Sequence, residues 1–123
     1  MSHTAIVLAL AQKDRDRELL TEFLEDIGYE TRTARGFEEF DRLLTEVTGE
    51  QVGLGVFDID GFTEAVWERS KDLSAEDTSV LILTGNNPER VRKEALSHGA
   101  DSIVEKPVRK AELESTIHTL LDR

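Results

Sequence analysis

The sequence predicts an α/β fold: five parallel strands in one sheet, covered on both faces by five helices. Three observations carry that expectation. Short apolar segments alternate, strand first, with longer segments of helical period along the whole of the 123 residues. Two of the short segments, 52–57 (VGLGVF) and 80–83 (VLIL), are apolar or small throughout, as in strands buried on both faces. Finally, the third, fourth and fifth segments are each closed by a polar residue, Asp58, Thr84 and Lys106.

Taken in order, residues 5–11 form the first strand, almost wholly apolar. Asp14 and Asp16 then open a helix with acids in its first turn, where they complement the macrodipole. Leu19, Leu20, Phe23, Leu24 and Ile27 recur at helical spacing, and Gly28 is the expected C-cap. Residues 29–34 read as a short strand. Gly36 turns into a second helix with Phe37, Phe40, Leu43, Leu44 and Val47 on one face. The strand ending at Asp58 follows, with Asp60 and Gly61 shaping the loop behind it. A weaker third helix is expected over 62–73, with Ala65 and Val66 inward, and then a polar loop over 74–79. After the strand at 80–84, Gly85, Asn86 and Asn87 break the chain. Pro88 suits the first turn of a helix reaching Gly99. Residues 102–105 form the last strand, and 109–122 a final helix carrying Leu113, Ile117, Leu120 and Leu121. No repeat, linker or low-complexity tract interrupts the pattern, so 1–123 reads as one domain.

Composition narrows the function. Charged residues make up 33% and apolar residues 38%, and no apolar run approaches the roughly 20 residues that span a bilayer. The start of the chain lacks the basic flank and cleavage site of a signal peptide, and the absence of cysteine excludes disulfides and thiolate metal sites. A cytoplasmic protein with no membrane partner is expected. The net charge of −11 would repel phosphates, so no nucleic-acid partner is expected. Acid excess with ten Arg to five Lys fits either a salt-loving organism or an ordinary acidic signalling domain.

In a parallel sheet the carboxyl ends of all strands point to one edge, where open α/β sheets keep their ligand sites. Asp58, Thr84 and Lys106 would meet there as a carboxylate, a hydroxyl and an ammonium. That set suits an aspartyl-phosphate: the carboxylate attacks phosphorus, while the hydroxyl and the lysine bind the arriving oxygens. Singly, each residue has a plainer reading. Asp58 or Thr84 can cap a helix, and Lys106 can be a surface cation.

With these marks in place, the sequence resembles the receiver domain of two-component response regulators. The matching residues are Asp58, Leu83-Thr84-Gly85, His98-Gly99-Ala100-Asp101 and Lys106-Pro107, with Gly28-Tyr29 and Ala34-Arg35-Gly36 in register. The resemblance implies a flavodoxin-like three-layer sandwich with strand order 2-1-3-4-5, and often a cis Lys106–Pro107 bond. It implies phosphorylation of Asp58 by a histidine kinase or phosphotransfer protein, and signalling to a downstream protein target without enzymatic activity of its own. A second copy of the chain is a further candidate partner.

Three departures mark an atypical receiver. The two adjacent acids that hold Mg²⁺ after the first strand fall, counting back from Gly28, at Ala11 and Gln12. Asp14 and Asp16 lie nearby but out of register. Mg²⁺ is therefore expected to bind weakly or not at all, with Asp58 and Asp60 as the remaining ligands. Loss of the pair also removes like-charge repulsion that raises the acceptor's pKa. Phe62 stands in place of the usual proline, and Ile103 in place of the usual aromatic. A second resemblance, of residues 57–63 (FDIDGFT), is to haloacid dehalogenase-type phosphatases, with Asp58 as nucleophile and Asp60 as acid/base. There the motif strand comes first in the chain, whereas here two strand–helix units precede it. His3, His98 and His118 do not cluster, and no role is assigned to them.

Overall fold

The computed structural model of the chain describes residues 6–47, 52–86 and 88–121. Its elements run β1 (Ile6–Leu10), α1 (Asp14–Ile27), β2 (Glu30–Ala34), α2 (Phe37–Glu46) and β3 (Val52–Asp58), then α3 (Ala65–Ala75), β4 (Ser79–Thr84), α4 (Pro88–Ser97), β5 (Ser102–Glu105) and α5 (Lys110–Leu121). The sheet order is β2-β1-β3-β4-β5 and every pairing is parallel. This is the expected flavodoxin-like architecture.

Side chains alternate across each strand, so the sheet carries two cores. On one face Ile6, Leu8 and Leu10 of β1 meet Phe40 of α2, Trp67 and Leu73 of α3 and Ala95 of α4. On the other, Val7 and Ala9 meet Leu20 and Leu24 of α1 and Leu113, Ile117 and Leu120 of α5. Val52 and Leu54 join opposite cores although they stand two apart, because the β1–β3 register shifts between Ile6 and Val7. Burial of each large apolar side chain stabilises by about 1.5–3 kcal/mol, and Phe40 and Phe57 also meet ring to ring at 5.2 Å.

Most element boundaries fall within two residues of the expectation, and one is displaced further. The third helix, expected at 62–73, starts instead at Ala65 and runs to Ala75. Phe62 is held in a turn by its N–H to the Ile59 carbonyl, and its ring packs on Phe37 at 5.1 Å. The polar 74–79 stretch is shortened accordingly, and Ser79 already belongs to β4. Ala65 is only half-buried, whereas Trp67 is buried and stacks on His98 at 5.7 Å. Gly28 closes α1 in the left-handed region at φ 110°, its N–H reaching the Leu24 and Glu25 carbonyls. The expected α4 end at Gly99 is two residues late, α4 stopping at Ser97. His3, Ala5, Asn87 and residue 122 lie outside the described residues.

Among the described residues no helix is long and apolar enough to cross a membrane.

Candidate functional site

Asp58 is the last residue of β3 and pairs across the ladder with Leu83 of β4. Thr84 ends β4, and its carbonyl accepts the Lys106 N–H at 2.9 Å just past β5. Parallel register thus delivers all three side chains to one edge. The Lys106–Pro107 bond that turns the chain away is cis.

Lys106 Nζ lies 3.0 and 2.9 Å from the two Asp58 carboxylate oxygens. It also lies 2.8 Å from Asp60 Oδ2 and 3.2 Å from Asp16 Oδ2. One ammonium therefore serves three carboxylates. Asp58 is buried at 3% exposure, and its Oδ1 accepts the Asp60 N–H at 3.2 Å. Thr84 is fully buried; its hydroxyl sits 3.3 Å from Asp60 Oδ1 and 3.0 Å from the Asn86 carbonyl. The hydroxyl oxygen in turn accepts the Asn86 N–H at 3.1 Å.

Electrostatics separate the Asp58 and Asp60 carboxylates. Burial pushes the Asp58 carboxyl above its ordinary value and outweighs the hydrogen bond and charge of Lys106. Burial also pushes Asp60 up, but Lys106, the Gly85 N–H and the Thr84 hydroxyl together outweigh it and hold Asp60 below. Lys106 is lowered by burial, yet Asp58, Asp60 and Asp16 raise it further than burial lowers it. The rise at Asp58 needs no acid pair after β1. Desolvation supplies it.

Asp58, Thr84 and Lys106 meet at one edge as expected, with Asp60, the expected second ligand, beside them; the carboxylate that the sequence did not place there is Asp16. Asp16 reaches Lys106 from the first turn of α1, because that helix starts directly above the edge. Asp60 was read as a loop former and metal ligand, yet its side chain turns inward onto the β4–α4 loop. The signal for Asp16 was its place in the first turn after β1.

The donor set does not fit Mg²⁺ as a pair of acids would. Ala11 is fully buried, and its N–H bonds the Ala34 carbonyl. Gln12 is exposed and lies over Gly61. The carbonyls of both residues accept the Arg17 guanidinium, at 3.1 and 3.3 Å. Asp58 and Asp60 are bound by an ammonium instead. Among the described residues no group of three His, Cys, Asp or Glu is placed to hold a metal ion.

A cavity of about 140 Å³ leads to Asp58 from the α1 side, lined by Asp16, Leu19, Leu20, Phe23, Lys106 and Pro107, among others.

A carboxylate gripped by lysine beside a buried threonine, at the carboxyl edge of a 2-1-3-4-5 parallel sheet, defines a signalling α/β protein of the two-component class. The chain belongs to the response regulator receiver domain family, whose pattern matches residues 9–118. It is 32% identical over 114 residues to the transcriptional regulatory protein AruR of Pseudomonas aeruginosa. That match takes in 87% of this chain and 45% of AruR, so the chain spans about half of that relative's length. Among solved structures it resembles a response regulator receiver domain protein of Clostridium thermocellum at 22% identity and TM-score 0.83, over 97% of this chain and 95% of that one. It also resembles the chemotaxis protein CheY4 of Vibrio cholerae at 23% identity and TM-score 0.82, over 96% and 99%.

Proposed function

We propose that residues 1–123 act as one receiver module that accepts a phosphoryl group on Asp58 and signals through protein–protein contacts. The observation that carries this reading is the bidentate grip of Lys106 on the buried Asp58 carboxylate, beside the Thr84 hydroxyl. An Asp58 oxygen attacks phosphorus, and the bond from phosphorus to the donor's leaving group breaks with its electron pair. Lys106 and Thr84 take the phosphoryl oxygens. The donor is a phosphohistidine of a kinase or phosphotransfer protein, approaching through the cavity beside α1. The downstream partner is a protein that reads α4, β5 and α5, biased by the movement of Thr84 and its loop. Mg²⁺ dependence is weak, because positions 11 and 12 offer no carboxylate and Lys106 already occupies those of Asp16, Asp58 and Asp60. Such a module works in the cytoplasm.

Intact mass after incubation with acetyl phosphate, with and without Mg²⁺, tests the reading. A single added phosphate that is lost in Asp58→Asn supports it. No addition under any condition leaves a module that binds its partners without phosphorylation. Steady phosphate release from a generic ester would instead favour the phosphatase chemistry of Asp58 with Asp60.

A further inference from the structure

Asp60 is bound far more heavily than a loop-shaping residue requires. Its Oδ2 accepts the Gly85 N–H at 3.0 Å and lies 2.8 Å from Lys106 Nζ. Its Oδ1 lies 3.3 Å from Thr84 Oγ1 and 3.4 Å from Asn86 Nδ2. The side chain is only 9% exposed. Four donors from two strand ends converge on one carboxylate, in the crevice where its own backbone N–H meets Asp58. The crevice is full at that point: a Cβ added to Gly85 would come within 3.2 Å of Asp60 Oδ2.

A phosphoryl group on Asp58 needs the Thr84 hydroxyl and the Lys106 ammonium for its oxygens. Asp60 holds the lysine and shares the single hydroxyl proton of Thr84 with the Asn86 carbonyl. The two anions cannot share these donors, since their oxygens would overlap and their charges repel in a site largely shielded from water. We infer that the Asp60 carboxylate is a resident anion that fills the phosphoryl-oxygen cradle and competes with phosphoryl groups for it. The chain thus carries its own antagonist, two residues beyond the acceptor. Access to Asp58 is governed by how readily that carboxylate leaves.

The test has two arms, and only the second rests on the phosphoacceptor reading. In the first, Asp58→Asn removes both the acceptor and its charge. Inorganic phosphate is titrated at constant ionic strength into ¹⁵N-labelled Asp58→Asn and Asp58→Asn/Asp60→Ala, following the Gly85 amide. Half-saturation at least tenfold lower without Asp60 is expected. Equal affinities, or a Gly85 amide that does not move in either protein, overturn the inference. Asp58→Asn/Asp60→Asn keeps the size and removes the charge, and is read by the same criterion should the alanine variant not fold. In the second arm, acetyl phosphate labelling of Asp60→Ala should run at least tenfold faster than that of the parent. Measurable labelling at equal rates in both also overturns the inference. No labelling of either, together with tighter phosphate binding in the first arm, removes the acceptor role and leaves the resident anion standing.

Discussion

Lys106 Nζ stands 2.8 Å from Asp60 Oδ2, slightly nearer than to either oxygen of Asp58. The lysine therefore divides its charge between the acceptor and a neighbour, with Asp16 at 3.2 Å as a third partner. Removing that one cation leaves two largely buried carboxylates without their shared partner. Lys106→Met should destabilise the fold by about 2–3 kcal/mol, less than a fully buried pair would lose because the lysine side chain keeps 19% exposure. Adding Asp58→Asn should recover part of the loss. Urea unfolding of the two single variants and the double variant measures the coupling.

The Asp58 and Asp60 carboxylates should give opposite pH signatures. Asp58 has a folded pKa above 3.8, so its stabilising contribution is present at low pH and is lost as pH rises from 3.8 through the folded value. The stability of Asp58→Asn relative to the parent should therefore increase as pH rises through that window. Asp60 has a folded pKa below 3.8, so its contribution is present above 3.8 and is lost as pH falls through the folded value. The deficit of Asp60→Asn should accordingly be full at neutral pH and vanish in acid. Unfolding free energies between pH 2.5 and 7, on the order of one pH unit apart, decide both signs.

Gly61 holds φ at +90° beneath Gln12, and a Cβ there would run into Gln12 Oε1. Gly61→Ala should cost about 1–2 kcal/mol through the left-handed backbone alone. The clash adds little, because the far end of Gln12 can move aside. Gly61→Ala with Gln12→Ala should thus recover almost nothing in thermal unfolding; full recovery would assign the cost to the clash instead.

Rebuilding the acid pair should restore the cation. Ala11→Asp with Gln12→Asp is expected to raise Mg²⁺ affinity by roughly tenfold or more in calorimetry, about 1.4 kcal/mol. Stability should fall at the same time, because position 11 is fully buried. Gln12→Asp alone adds its charge at an exposed position and should give part of the affinity without that loss. Unchanged binding in both would mean that Lys106 and Arg17 keep the crevice closed to a divalent ion.

The net charge of −11 acts on the whole fold. Screening shortens from about 10 Å at 0.1 M salt to about 3 Å at 1 M, so self-repulsion should fade. The melting temperature is expected to rise steadily from dilute buffer into molar potassium chloride. A flat curve would mark an ordinary acidic domain.

The sequence by itself determined the sheet and its edge. Apolar runs at 52–57 and 80–83 can be buried only as central strands, and parallel connection then forces Asp58, Thr84 and Lys106 to the same side. Period and polarity are local properties of the chain, so they can be read without coordinates. Tertiary structure alone decided where Asp60 and Asp16 point. Asp60 stands one alternation beyond Asp58, in a loop where period no longer sets direction, and turns to donors 24–26 residues away in β4 and its loop. Asp16 meets Lys106 across 90 residues because α1 begins over the edge at which β5 ends. The late start of α3 has the same origin, since Phe62 is drawn onto Phe37 of α2 and not into the helix. In each case a long-range partner outweighs the local pattern, and such partners exist only once the sheet has brought them together.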